Sequence, residues 1–243
     1  MAVWLGAAWI ERTLFVGDFA FTALEEPAGF RRMNAGEVSG GWDPLAGIAR
    51  ATGSSQEISR APEEFCRALF GGAPLGADVV PIAYFTDYRC PYCRVLSQYL
   101  TALEAEQHPQ VRITWHEWPV LGQTSELAAR AALAAKRQDA YAPFHERLMR
   151  SSFVPTPAYL RSVSERIGLD ADRLLADMQS AAIDRELTET RALAGMFGFR
   201  GTPGLVVGRT VVIGAIDEPR LRALVEREIA DGPIEACRGA RAR

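Results

Sequence analysis

Two cysteines three residues apart, Cys90 and Cys93, enclose Pro91 and Tyr92. A pair at that spacing can close a disulfide, exchange it with another thiol, or supply half the shell of a soft metal ion. The flanking sequence favours exchange. Val79 to Phe85 is a nearly continuous apolar run, as expected of a strand buried on both faces. After the cysteines, Val95, Leu96, Tyr99, Leu100 and Leu103 recur at helical spacing, and His108-Pro109 closes the helix. Cys90 then falls at a helix N-terminus, where unpaired amides and the helix dipole favour an anion. A thiolate there should ionise below the free value of ~8.5. Pro91 suits the first turn because its missing N–H has no partner to lose. Cys93, one turn on, is close enough to bond and more deeply placed. Cys90 is thus the expected attacking sulfur and Cys93 the resolving one.

Metal chemistry finds less support. A zinc ribbon needs a second pair of ligands, whereas Cys66 and Cys237 stand alone and His108, His116 and His145 lack the spacing. No metal and no cofactor is expected, with a soft ion on the two thiolates as the alternative. A net charge of −3 without a long basic run gives no reason to expect nucleic acid.

The elements that must position the cysteines follow a definite order. Val111 to Trp118 reads as a second strand, so the dithiol sits in a β-α-β unit with a right-handed crossover. Residues 119–197 read as helical throughout. Ser125 is placed as a cap for a helix to about Arg137, and a second helix covers Tyr141–Arg150. Thr156 caps a third, ending at Gly168; Asp170 caps a short fourth; a fifth runs from Ile183 to Phe197. The pattern then reverts to β: Leu205–Val207 and Thr210–Ile213 flank Gly208-Arg209, a hairpin signal. Asp217 caps a last helix with Leu221, Leu224, Val225 and Ile229 inward. Without the helical insert this is the thioredoxin arrangement. Gly201-Thr202-Pro203-Gly204 precedes the hairpin, and a proline there cannot join an ordinary ladder. In a thioredoxin fold that proline is cis, faces the dithiol, and leaves a backbone edge for an extended substrate.

The expected class is therefore α/β: a thioredoxin fold with an inserted all-helical subdomain and an N-terminal extension. Residues 78–118 and 198–231 form the thioredoxin-fold domain and 119–197 the insertion. Residues 1–77 are an extension of unknown role, with Pro62 to Phe70 as a short helix and Gly40-Gly41 as a turn. Residues 232–243 are a tail.

Phe85 to Arg94, the helical insert, and Gly198 to Pro203 together resemble bacterial DsbA-family proteins, over about Asp78–Ile229. The resemblance is greatest to the branch with Cys-Pro-Tyr-Cys and Thr before the proline. It implies a periplasmic or exported thiol–disulfide oxidoreductase acting on cysteines of other exported proteins, with a membrane or soluble redox partner. It also assigns Thr202 and Pro203, with Pro91 and Tyr92, to substrate contact. One departure is Tyr84, which stands where many thioredoxin-fold enzymes carry a buried acid, six residues before the first cysteine.

Several residues keep two readings. Glu117 shares strand parity with Val111, Ile113 and Trp115; it is either a proton relay for Cys93 or an acid reaching solvent at a strand end. Asp87 reads as a loop cap. Arg89 and Arg94 either lower the Cys90 pKa or are solvated, and His145 reads as a surface or packing residue. Cys66 and Cys237 are either a structural disulfide, which suits an oxidising compartment, or two thiols. The apolar run Met1–Ile10, too short to span a bilayer at ~20 residues, is either the tail of a signal-anchor or a packed segment. Direction (oxidase, isomerase or reductase) and oligomeric state stay open.

Overall fold

The computed structural model describes residues 19–40, 62–72, 76, 78–107 and 110–240. The Met1–Ile10 run, Gly41 of the expected turn and His108-Pro109 lie outside them.

The sheet is built around the apolar run. Strand β3 (Val80–Thr86) is buried along its whole length, and its side chains alternate between two cores. Ile82 and Tyr84 enter one, Ala83 and Phe85 the other. Parallel β4 (Val111–Glu117) lies on one side, in register Tyr84↔Trp115 and Thr86↔Glu117. On the other side lies the hairpin of β5 (Gly204–Val207) and β6 (Thr210–Ile213), with β5 antiparallel to β3. Its turn uses Gly208 at φ 55°, where a side chain would be strained. Helix α2 (Pro91–Gln107) makes the crossover from β3 to β4. Helix α8 (Glu218–Asp231) packs Leu221, Leu224 and Val225 into the same core as α2. Five helices run between β4 and β5: α3 (Gln123–Lys136), α4 (Tyr141–Arg150), α5 (Pro157–Arg166), α6 (Ala171–Asp177) and α7 (Ala181–Met196). This is a thioredoxin-like fold with a helical insert. Among the described residues, no helix is long and apolar enough to cross a membrane.

The structure departs from expectation at both ends of the chain. Within the segment read as an extension, β1 (Thr22–Ala23) and β2 (Arg31–Asn34) join the sheet, whose full order is β1-β2-β6-β5-β3-β4. β2 runs parallel to β6 and covers an edge that would otherwise present unpaired amides and carbonyls. Helix α1 (Pro62–Phe70) buries Phe65, Leu69 and Phe70 in the second core. The segment read as a tail forms a 3-10 turn over Glu235–Ala240, and Cys237 is bonded to Cys66 of α1 with Cα atoms 5.6 Å apart.

Two local expectations are corrected. Ser125 does not cap α3. The helix starts earlier, at Gln123 after Gly122 (φ 100°), so Ser125 lies inside the first turn. Ile229 is exposed, because the inward place in the last turns of α8 belongs to Glu228. Glu228 Oε1 accepts from Arg31 and from the Thr210 hydroxyl, both at 2.6 Å.

Candidate functional site

The loop leaving β3 is held by Asp87. Its buried carboxylate accepts the amides of Arg89 (2.7 Å), Val120 (2.8 Å) and Leu121 (3.0 Å). Its carbonyl accepts the Cys90 amide at 3.1 Å. Asp87 thus fixes the Cys90 loop to the chain emerging from β4, using charge-assisted bonds.

Cys90 and Cys93 are both unbonded thiols with no exposed surface, whereas Pro91 and Tyr92 between them are exposed. The Cys93 amide donates to Cys90 Sγ at 3.1 Å, and Cys90 Sγ lies 3.4 Å from the Thr202 carbonyl oxygen. The Thr202–Pro203 bond is cis. The first turn of α2 and the loop before β5 therefore meet at one sulfur, although 112 residues separate Cys90 from Thr202.

The two thiols are made unequal by their surroundings. Hydrogen bonding from Cys93 lowers the Cys90 pKa from the ordinary 9.0 to about 6, against the opposing effect of burial; Thr202, Ser39 and the Cys93 amide add to the lowering. Burial pushes Cys93 well up, helped by its bond to Cys90 and the charge there. The arrangement can hold a thiolate at Cys90 beside a protonated Cys93.

The flanking arginines contribute little to that difference. Arg89 is exposed. Arg94, expected to be solvated or paired with the thiolate, donates to the carbonyls of Met149 (3.2 Å), Tyr88 (3.0 Å) and Ser151. It fastens α2 to the end of α4.

A largely buried polar network joins β4 and α4 to α2. Glu117 is buried, and its Oε1 accepts from the hydroxyls of Tyr88 (2.7 Å) and Tyr141 (2.6 Å). His145 Nδ1 is 2.8 Å from the Tyr88 hydroxyl, and His145 Nε2 is 3.4 Å from Ser97 Oγ, one turn beyond Cys93 on α2. Burial, then the charge on Glu117, pushes the hydroxyl pKa of Tyr88 and of Tyr141 well up, so both stay donors. Glu117 Oε2 is buried with no hydrogen-bond partner. At the position of the missing acid, the Tyr84 hydroxyl donates to the Cys93 carbonyl at 3.1 Å. Glu117 therefore does not reach solvent, and its carboxylate is joined to α2 through His145 and Ser97.

The family model for the DSBA-like thioredoxin domain matches residues 81–226, more than half of the chain. The chain belongs to the DsbA-like thioredoxin family. That family comprises thiol–disulfide oxidoreductases. Among solved structures, this DsbA-like protein is similar to a thioredoxin-like oxidoreductase from Silicibacter pomeroyi DSS-3, at 36% identity and TM-score 0.61, covering 66% of this chain and 95% of that one. It is also similar to a periplasmic thioredoxin-like protein from Salmonella enterica serovar Typhimurium (26%, TM-score 0.58, 69% and 97% covered). A third is the oxidoreductase DsbA from Xylella fastidiosa (28%, TM-score 0.55, 67% and 94% covered). Among curated proteins it matches the Na(+)/H(+) antiporter NhaA 3 of Salinispora tropica, at 29% identity over 133 residues. That match takes in 53% of this chain and 20% of the antiporter, so the chain spans about a fifth of the length of the curated relatives it matches.

Two residues of this DsbA-like site escape a sequence reading. His145 takes the packing alternative and is buried, but its polar partners were not anticipated; the available signal was its spacing of four from Tyr141 on α4, which puts both on one helix face. Ser39 pairs with Thr202 backbone to backbone, and its side chain helps to lower the Cys90 pKa. No motif marks it. Among the described residues, no cluster of three or more His, Cys, Asp or Glu side chains is placed to hold a metal ion.

Proposed function

We propose that this chain donates the Cys90–Cys93 disulfide to reduced cysteine pairs of exported proteins. The observation that carries the reading is the inequality of the two sulfurs: Cys90 low at about 6, Cys93 raised, both at the start of α2 beside cis-Pro203. In the oxidised protein, a substrate thiolate attacks Cys90 Sγ and the Cys90–Cys93 bond breaks. Cys93 leaves with the electron pair and takes a proton. A second substrate thiolate then attacks the substrate sulfur of the mixed disulfide, and Cys90 leaves as a stabilised thiolate. The substrate loses two electrons and two protons in all, and the dithiol gains the two electrons. A stabilised leaving thiolate speeds the second step and makes the couple more oxidising.

Thr202 offers its backbone edge to the substrate chain, and Pro91, Tyr92 and Pro203 supply contact surface. Glu117, through the Tyr88–His145–Ser97 chain, is the proton reservoir for Cys93. The resemblance to a periplasmic protein and to DsbA, and the Cys66–Cys237 disulfide, support an exported, oxidising location. A membrane or soluble redox partner would restore the disulfide.

The test pairs two assays on the full chain: oxidation of a reduced two-cysteine substrate by the disulfide form, and rescue of a scrambled substrate by the dithiol form. Fast oxidation with slow rescue is expected. Efficient rescue with slow oxidation would replace this reading with an isomerase or reductase.

A further inference from the structure

The edge just assigned to substrate is not empty. Beyond β2 the chain continues alongside the end of β6 and the loop before β5. The Ala35 amide donates to the Ile213 carbonyl (2.9 Å), and the Ala215 amide donates to the Glu37 carbonyl (2.9 Å). Ser39 and Thr202 then exchange both of their backbone bonds, Ser39 N–H to Thr202 O at 2.7 Å and Thr202 N–H to Ser39 O at 2.8 Å, as an antiparallel bridge. Thr202 is the residue whose carbonyl lies against Cys90 Sγ. The approach is so close that a Cβ on Gly201 would stand 2.5 Å from the Ser39 carbonyl oxygen. Cys90 has no exposed surface in this arrangement, although a mixed disulfide with a protein requires access to its sulfur.

We propose that Val38-Ser39-Gly40 is an internal pseudosubstrate: it occupies the extended-peptide site of the Thr202–Pro203 edge, with Ser39 standing where the reacting cysteine of a substrate would stand. The inference rests on the oxidoreductase reading above and adds to it an occupant, a geometry and a selectivity. Serine is the oxygen counterpart of cysteine, so it fits the site yet cannot form a disulfide. Bonding to Thr202 through main chain alone makes the edge indifferent to most side chains, as β-strand addition is elsewhere. Side-chain space is tight at one position. A Cβ on Gly40 would lie 3.1 Å from the Arg200 carbonyl oxygen, so the site suits a peptide with a small residue directly after its cysteine. Val38 and Glu37 are exposed, so the residues before the cysteine are unconstrained. A substrate must displace this strap, which slows its reaction with Cys90.

Two variants release the strap. Ser39→Pro removes the N–H that bonds to Thr202. Gly36→Ala acts further from the sulfurs, because a Cβ there would stand 2.5 Å from the Ala215 carbonyl oxygen. Both should raise the rate at which Cys90 reacts with a short peptide containing Cys-Gly by about three- to tenfold, the range that one lost backbone hydrogen bond allows. A Cys-Leu peptide should remain slower than Cys-Gly in every variant. The placement of residue 39 is tested separately, with Ser39→Cys in a Cys93→Ser background and oxidised glutathione as oxidant. Cys90 takes one half of the glutathione disulfide and releases the other. The sulfur introduced at position 39 then displaces the second glutathione and closes a 39–90 disulfide. Val38→Cys in the same background should stay as the glutathione adduct. Cys90 that accepts glutathione without closing to position 39, or two folded release variants no faster than the parent, would overturn the pseudosubstrate while leaving the oxidoreductase reading intact. Failure of Cys90 to exchange with glutathione even in Gly36→Ala would overturn both.

Discussion

The charge on Cys90 should govern both its reactivity and the stability of the reduced protein. With the thiol lowered from 9.0 to about 6, ~90% of Cys90 is thiolate at pH 7, against a few per cent for a free thiol of pKa ~8.5. The fall from 9.0 to about 6, at ~1.36 kcal/mol for each pH unit, would be worth ~4 kcal/mol in a fully shielded site. Pro91 and Tyr92 beside the sulfur are exposed, so solvent screening reduces this to ~2–3 kcal/mol. The folded pKa lies below the unfolded one. The contribution is therefore complete above about pH 9 and is lost as pH falls through about 6. Cys93 is raised above its ordinary 9.0, so it subtracts stability from the reduced form only as pH rises through that value, and the gain from Cys90 is read below it. The disulfide form has no thiol at position 90 and lacks the contribution altogether. The reduced form should thus gain on the oxidised form between acidic and alkaline pH, which is worth ~40–65 mV on the couple. Urea titrations of both forms across this range measure the gap, and the pH dependence of Cys90 alkylation, read by mass mapping, measures the pKa. A stability gap that does not change with pH, or an alkylation midpoint at the ordinary thiol value, would refute the reasoning.

Other consequences follow from the packing. Replacing Cys66 and Cys237 by Ala opens a loop closed across 171 residues and should cost ~2–5 kcal/mol, read as a lower urea midpoint. Glu117→Ala leaves the Tyr88 and Tyr141 hydroxyls without their carboxylate and should cost ~2–4 kcal/mol. Glu117→Gln keeps an acceptor and should recover most of that stability, yet slow the step in which Cys93 takes its proton, measured as a slower first exchange with a thiol substrate. Asp87→Ala removes the acceptor of three partly buried amide bonds and should cost ~2–4 kcal/mol; an unchanged unfolding midpoint would show that water replaces the carboxylate.

Legibility in the sequence tracked how local the chemistry was. The caps Thr156, Asp170 and Asp217 each accept the amide three residues on, a bond made within one turn, and each is readable from residue type alone. β3 is readable because both of its faces are buried, so no alternation is needed. β2 is not: Arg31, Arg32 and Asn34 surround a single inward residue, Met33. Its charged side chains find partners far along the chain, Arg31 at Glu228 and Asp231 and Arg32 at the Phe197 carbonyl. Ile229 misleads for the matching reason. A hydrophobic pattern puts apolar residues inward and cannot anticipate a buried carboxylate whose partners sit on β2 and β6. Ser125 misleads because a serine near a helix start resembles a cap whether or not the backbone turns there.

The same distinction divides the site. The motifs Cys90-Pro91-Tyr92-Cys93 and Thr202-Pro203 are legible because few arrangements need those residue types in that order. Only part of what makes the sulfurs differ is written beside them. Arg89 and Arg94 are the obvious local charges, but one is exposed and the other is bound to three carbonyls. The lowering at Cys90 comes instead from Cys93, Thr202 and Ser39, two of which lie more than 50 residues away. The network that meets α2 at Ser97 draws Glu117 from β4, Tyr88 from the loop after β3, and Tyr141 and His145 from α4. The helical insert therefore contributes to the site. By placing His145 between Ser97 and Tyr88, it joins a buried carboxylate by hydrogen bonds to the turn of α2 that follows Cys93. Under the function proposed above, that carboxylate stands in for the acid that β3 lacks at Tyr84.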